Sequence, residues 1–133
     1  MASARQQAIK KLDKAFSRFI RLRACDGYGV GECFTCETQK HWKEVDAGHF
    51  QSRSKYSTRW DEMNVQFQCK GCNMTNGGQQ YEFGLRLDHH FGEGTAEDIL
   101  IKSNQTRKFT TKELQEMTKD YQQRVNEMLN GLH

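Results

Sequence analysis

The sequence predicts an α+β domain, mainly helical, built around a four-cysteine zinc site. Three observations lead there. Cys33-x-x-Cys36 and Cys69-x-x-Cys72 are two pairs with the spacing of zinc knuckles. Apolar residues recur at helical intervals near both ends of the chain, and the stretch between the pairs holds two short segments of extended character.

A gap of two residues lets both sulfurs of a pair converge on one tetrahedral Zn²⁺ while the intervening backbone amides face the thiolates. Such a site leaves no open position for water, so it is structural and any chemistry must come from other residues. Four unrelated buried cysteines, or a thioredoxin-like redox pair, are the competing readings of the same positions. Cys25 is the odd thiol, outside either pair. It suits packing at a helix end, or it replaces one of the four ligands.

The 133 residues suit a single domain, 1–133, whose modest core is helped by a metal staple. Its parts are a basic N-terminal helix (1–26), a zinc-bearing core (30–92) and C-terminal helices (95–132). No run approaches the roughly 20 apolar residues of a membrane span, and the start lacks a secretory apolar region. An odd cysteine count with metal-type spacing points to a reducing, intracellular setting. The net charge is only +3, but residues 1–23 hold seven cations against Asp13 alone. A basic helix on a mildly acidic body suggests a polyanion partner, with a merely solvated helix face as the alternative.

In the first helix Ile9, Leu12, Phe16, Phe19 and Ile20 give the apolar rhythm, and Gly27, Gly29 and Gly31 end it. Cys33 to Cys36 forms a turn. Trp42 to Phe50 reads as a strand, Gln51 to Asp61 as a polar loop, and Asn64 to Gln68 as a short extended approach to the second knuckle. A helical turn begins at Asn73, re-forms after Gly77-Gly78, and continues through Tyr81, Leu85 and Leu87 to Phe91. Gly92 and Gly94 terminate it. Thr95-x-x-Asp98 opens a short helix over Ala96 to Lys102, and Thr110-x-x-Glu113 is a capping box for the last helix. There Leu114, Met117, Tyr121, Val125, Met128 and Leu132 form a stripe that packs on its own domain or, alternatively, joins a homodimer. No internal repeat or low-complexity tract interrupts this order.

Phosphodiester cleavage needs an activated water, a cation on the phosphate and stabilisation of the leaving oxygen. His49 can supply the base, because an ordinary histidine pKa near 6.5 leaves neutral imidazole available at physiological pH. His41, His89, His90 and His133 read as surface residues. Cys33-x-x-Cys36, Gly48-His49 and Asn64-x-x-x-x-Cys69-x-x-Cys72-Asn73 together resemble the zinc-stapled HNH, or His-Me finger, nucleases. More narrowly, Asp46-Ala-Gly-His-Phe50, Arg59-Trp-Asp-Glu-Met-Asn-Val65 and Gln68-Cys-Lys-Gly-Cys-Asn73 resemble the NinG (Rap) recombination endonucleases of lambda-like phages. The downstream Tyr81, Leu85 and Gly92 extend that resemblance, which runs from about Phe19 to Leu114.

The resemblance implies a ββα-metal core in which His49 is the general base, Asn73 binds a catalytic Mg²⁺ or Mn²⁺, and Asn64 holds the hairpin loop and orients the histidine. Cys33, Cys36, Cys69 and Cys72 hold the structural Zn²⁺. Many HNH enzymes carry an aspartate or histidine directly before the base, where this chain has Gly48. Asp46 is the nearest carboxylate, about 6.5 Å from position 48 along a strand rising roughly 3.3 Å per residue. A bulge at Gly48 brings it toward the metal, and a plain loop or strand-end hydrogen bond is its other role.

Lys10, Lys11, Lys14 and Arg18 of the first helix, with Arg53, Lys55 and Arg59 of the loop, are the candidate DNA contacts. The leading expectation is a metal-dependent endonuclease of phage recombination acting on branched DNA in the cytoplasm of an infected bacterium. The alternatives are a non-catalytic zinc-finger module for DNA binding or assembly, and a site in which His49 itself ligates zinc.

Overall fold

The computed structural model describes residues 2–133. Its longest elements are the two helices that the sequence marks most clearly. α1 (Ala4–Arg23) starts at a capping box in which the Ser3 hydroxyl accepts from Gln6 N–H and the Gln6 side chain accepts from Ser3 N–H. α5 (Thr111–Asn130) starts the same way at Thr110 and Glu113. Both helices need a partner for their apolar faces, and each supplies the other's. Leu12, Phe16, Phe19 and Ile20 are buried against Leu114, Tyr121 and Val125. The Tyr121 ring sits 5.0 Å from those of both Phe16 and Phe19, a distance at which tilted and edge-on aromatic contacts are favourable.

The two helices run in the same direction. Arg5 reaches the Phe109 carbonyl at their starts, and His133 N–H donates to the Gly27 carbonyl (2.7 Å) at their ends. The α5 stripe therefore packs on its own domain, against α1.

Between these helices lie two small antiparallel sheets. β1 (Val30–Glu32) pairs with β2 (Gln39–His41), and the loop joining them carries the first cysteine pair. β3 (Val45–His49) pairs with β4 (Val65–Cys69), which leads into the second pair. The expected strand from Trp42 is shortened, because Trp42–Glu44 forms a tight helical turn capped by the His41 ring. The expected polar loop contains α2 (Tyr56–Arg59), a single turn without a side-chain cap.

After β4, Gly71–Thr75 forms one widened helical turn in which Asn76 N–H reaches back five residues to the Gly71 carbonyl (3.0 Å). Asn73 thus lies in the middle of the turn rather than at its start. α3 (Gln80–Phe91) and α4 (Thr95–Ser103) follow, joined through Gly92 and Gly94, both at positive φ. α3 turns a different face inward from the one expected. Phe83 and Leu87 are buried with Ile99 of α4, while Tyr81 and Leu85 are exposed. The α4 start is capped from outside: the Asp88 carboxylate accepts from Ala96 N–H (2.8 Å), and neither Thr95 nor Asp98 provides that cap.

The β3–β4 register is unbroken, with Asp46 opposite Gln68, Gly48 opposite Gln66 and His49 opposite Val65. No bulge draws Asp46 forward. Gly48 has another cause. The Gln68 side chain crosses it on the same face, with Nε2 donating to Thr35 Oγ1 (3.1 Å) and to the Gly78 carbonyl (2.8 Å). Its Oε1 is buried without a partner, and a Cβ added at position 48 would come within 2.0 Å of it. Gly48→Ala is therefore expected to destabilise the fold by about 1–3 kcal/mol, read as a lower urea midpoint, because the pinned amide cannot move aside without losing its hydrogen bonds.

Candidate functional site

The two cysteine pairs meet where the β1–β2 loop reaches the end of β4. All four Sγ atoms lie within 4.8 Å of one another, and Cys36 and Cys69 are 3.7 Å apart. A tetrahedral Zn²⁺ with bonds of about 2.3 Å requires sulfur separations of about 3.8 Å, so the cluster has the size of such a site. Backbone amides point at the sulfurs, Cys69 N–H at Cys33 Sγ (3.3 Å) and Cys72 N–H at Cys69 Sγ (3.5 Å).

Burial opposes ionisation of Cys33, but the Thr35 hydroxyl and surrounding amides outweigh it and pull the thiol down to about 6. Burial and the neighbouring sulfurs push Cys72 up to about 12. The Cys33 thiolate thus forms readily while Cys69 and Cys72 resist until a cation is present, and the four cysteines together could bind a metal such as zinc. Cys25 is not among them. Its thiol donates to the Leu22 carbonyl (3.0 Å) at the end of α1, the helix-end position open to it from sequence. His49 is also outside the cluster.

Beside the cysteine cluster, a cleft of about 900 Å³ opens between α1, the unpaired edge of β3 and the turn after β4. Asp46, His49 and Asn73 line it together. His49 stands at the last position of β3, and its Nε2 lies 3.0 Å from the Arg59 carbonyl oxygen. A carbonyl can only accept, so Nε2 carries the proton and Nδ1 keeps its lone pair. Burial, aided by the charges of Arg53 and Arg59, holds the imidazole below the ordinary histidine value, although the Arg59 carbonyl and Asp13 oppose this.

The Asp46 carboxylate is shared, Oδ2 accepting from Asn73 Nδ2 (3.0 Å) and Oδ1 from Lys70 Nζ (2.8 Å). Burial works against its ionisation, but these two bonds and the nearby Arg21 charge prevail and keep it below the usual carboxylate range. Asn64 is completely buried and away from the cleft. Its side chain accepts from Gln51 N–H (2.7 Å) and donates to the carbonyls of Gln51 (3.1 Å) and Thr58 (2.9 Å), stitching together the segment that follows His49.

The candidate DNA contacts divide. Lys10, Lys14 and Arg53 line the cleft, whereas Lys11 and Arg18 face a smaller groove between α1 and α5 that Lys14 also borders. Lys55 is exposed and outside the cleft. Arg59 is committed elsewhere: its guanidinium is mostly buried and grips Asp13 through Nε (3.1 Å) and Nη2 (2.6 Å), so it is not a free phosphate contact. Three cleft cations escaped the sequence reading, namely Arg21, Lys43 and Lys70. Lys70 sits inside the second knuckle, between Cys69 and Gly71, and that position was its available signal.

Fold and site thus define a small α+β protein with a four-cysteine cluster of metal-binding geometry beside a basic cleft. The family model described as "Bacteriophage Lambda NinG protein" matches residues 2–130, and the chain belongs to that family. It is similar to proteins named "Protein ninG" from Escherichia phage 933W (29% identical over 126 residues), Escherichia phage lambda (28% over 126) and Salmonella phage P22 (28% over 123). These alignments cover 92%, 92% and 90% of this chain but 59%, 58% and 57% of the relatives, so the chain spans under two thirds of their length. No solved structure matches it.

Substituting serine for any one of Cys33, Cys36, Cys69 or Cys72 is expected to lower bound zinc from one equivalent per chain, whereas Cys25→Ser should leave it unchanged. Metal content after dialysis decides the point.

Proposed function

We propose that this chain is a metal-dependent DNA endonuclease of phage recombination with a ββα-metal core of the HNH type: β3, β4 and the helical turn after it. The observation that carries the reading is the tautomer of His49. Its Nε2–H is tied to the Arg59 carbonyl, so Nδ1 is left as a base in a cleft that also holds Asp46 and Asn73. Six cations line that cleft against two carboxylates, which suits a phosphodiester backbone.

In the proposed reaction His49 Nδ1 removes a proton from a water molecule as the water oxygen attacks phosphorus. The new P–O bond forms as the P–O3′ bond breaks, and the 3′-oxygen departs with the electron pair. Asp46 and Asn73 are the residues that would hold a catalytic divalent cation. Their donor set fits one, since a carboxylate and an amide oxygen are hard ligands. Turning the Asn73 amide presents its oxygen to the same point. When bound, Mg²⁺ or Mn²⁺ would supply the charge that stabilises the leaving oxygen. Asn64 acts from behind, holding the loop that carries the Arg59 carbonyl. Lys10 and Lys14 contact the backbone, recognising shape and charge rather than sequence, and Arg53 is paired to Asp13 at the cleft's edge.

Branched DNA is the proposed substrate, in keeping with recombination. Symmetric cutting of a junction takes two copies of the chain. The α5 stripe packs on α1, so under this reading the contact between copies is to be sought elsewhere.

A second reading has a specific observation in its favour. The Lys70 ammonium pairs with Asp46, as it would in a non-catalytic zinc-finger module for DNA binding or assembly. Incubation with matched junction, flap and duplex DNA in Mg²⁺, Mn²⁺ or EDTA separates the two. Cleavage that needs the ion supports the nuclease, and binding without cleavage under every ion supports the module.

His49→Ala is expected to lower kcat by at least about 10²-fold, at the modest end for loss of a general base, with zinc content and thermal melting unchanged. Cleavage should also rise with pH as His49 loses its proton. Burial depresses that group, so the midpoint belongs below pH 6.5, and a rising limb centred above that value would count against His49 as the base.

A further inference from the structure

The single acidic residue of α1 stands in the wrong place for a helix that faces a polyanion. Asp13 lines the cleft among Lys10, Lys14 and Arg21, where a free carboxylate would repel phosphate. Four donors from three residues converge on it. Oδ1 accepts from Arg59 Nε (3.1 Å) and Trp60 Nε1 (3.0 Å), and Oδ2 accepts from Arg59 Nη2 (2.6 Å) and Arg53 Nη2 (2.8 Å). Burial opposes its ionisation, but Arg59 and Arg53 outweigh that and hold it below the usual carboxylate range. It meets the loop as a fixed anion.

Arg59 ends α2, a helix of four residues. One turn is too short to hold its own shape, and the carbonyl at its end has no partner within the helix. The anchors come from outside. The Arg59 guanidinium is bound by Asp13 through two nitrogens, and its third, Nη1, donates to the Arg53 carbonyl (2.8 Å). Trp60 is buried, and Asp13 gives its indole N–H the partner that burial demands. Both residues flanking one peptide group are therefore held by one carboxylate. That peptide group includes the Arg59 carbonyl, which takes the proton of His49 Nε2.

We propose that Asp13 is a positioning residue for His49: from α1 it clamps Arg59 and Trp60 so that the Arg59 carbonyl fixes the orientation and tautomer of the imidazole. The inference rests on His49 serving as the base. It gives α1 a second role, as the rigid support of the residue across the cleft, and it assigns Arg59 to the catalytic geometry rather than to the DNA.

The test is Asp13→Asn in the full chain loaded with zinc, with ¹⁵N NMR of the His49 ring and steady-state cleavage measured on the same preparations. In the unsubstituted protein above the His49 transition, a single Nε2–H tautomer is expected. In Asp13→Asn the two tautomers should mix. kcat should fall on the order of 10²-fold, the usual cost of a misplaced catalytic group, while KM for DNA does not rise because an anion has left the cleft. A pure Nε2–H tautomer with kcat within about twofold of the original overturns the proposal, as does the same kcat with only a lower KM, the signature of simple phosphate repulsion.

If Asp13→Asn fails to fold, Arg59→Lys decides. It keeps the charge and loses the two-nitrogen grip, so mixed tautomers are expected and an undisturbed Nε2–H form overturns the clamp. Should that variant also fail to fold, the unsubstituted protein decides: mixed tautomers there overturn the proposal, and slow solvent exchange of the Trp60 indole proton supports it. The ring measurement needs no cleavage. A clamped tautomer in a chain that cuts no DNA retains Asp13 as a positioning residue and rejects the nuclease reading instead.

Discussion

Convergence of four sulfurs on one point is the constraint from which the rest of the centre follows. It joins the β1–β2 loop to the end of β4, two parts of the chain that belong to different sheets. Asn73 follows Cys72 directly, so closing the second knuckle also sets how far Asn73 stands from β3. Its bond to Asp46 spans 27 residues of sequence with little other support. Gln68 extends the same join inward by holding Thr35 beside the first cysteine pair and Gly78 beyond the second. The opposite wall is α1, held in place chiefly by its apolar packing on α5, so the cleft lies between a wall organised around the cysteine cluster and one held by packing.

What was legible in the sequence was whatever local chemistry decides. The Thr110–Glu113 capping box forms, the two long helices bury the expected rows, and the cysteine spacing yields one cluster. The misreadings lie where distant residues override a local pattern. Trp42–Glu44 curls because Arg21 reaches back from α1 to the Trp42 carbonyl (3.1 Å), leaving only the residues from Val45 onward to pair with β4. The residues of α2 have no cap of their own and are helical because Asn64 and Asp13 hold them. In α3, Tyr81 and Leu85 are apolar enough to suggest a core face, but Phe34 and Phe50 pack against Phe83 and turn the helix about its axis. Arg59 looked like any loop cation, since nothing local links it to a carboxylate 46 residues earlier.

The charge pattern of the cleft also follows from these long-range contacts. Its two carboxylates are each held by cations before any ligand arrives, Asp13 by Arg53 and Arg59, Asp46 by Lys70. The remaining positive charge of the cleft is that of Lys10, Lys14, Arg21 and Lys43. Arg21 is the least free of these, because it is half-buried over the Trp42 ring, 5.2 Å from its centroid, and bonded to the carbonyls of Ser17 and Trp42. Its field reaches the cleft from a fixed position, whereas the exposed lysines can adapt to whatever lies there.

The crossing of Gln68 over Gly48 has a consequence for how the hairpin assembles. A two-stranded sheet this short has little of its own to prevent its strands from pairing one residue out of step, and such a slip would send His49 to the opposite face. In β3 only position 48 lacks a side chain, so only one alignment leaves room for the buried amide to pass. The glycine acts as a notch and the glutamine as the key that fits it, and together they select the one pairing in which the imidazole faces Arg59.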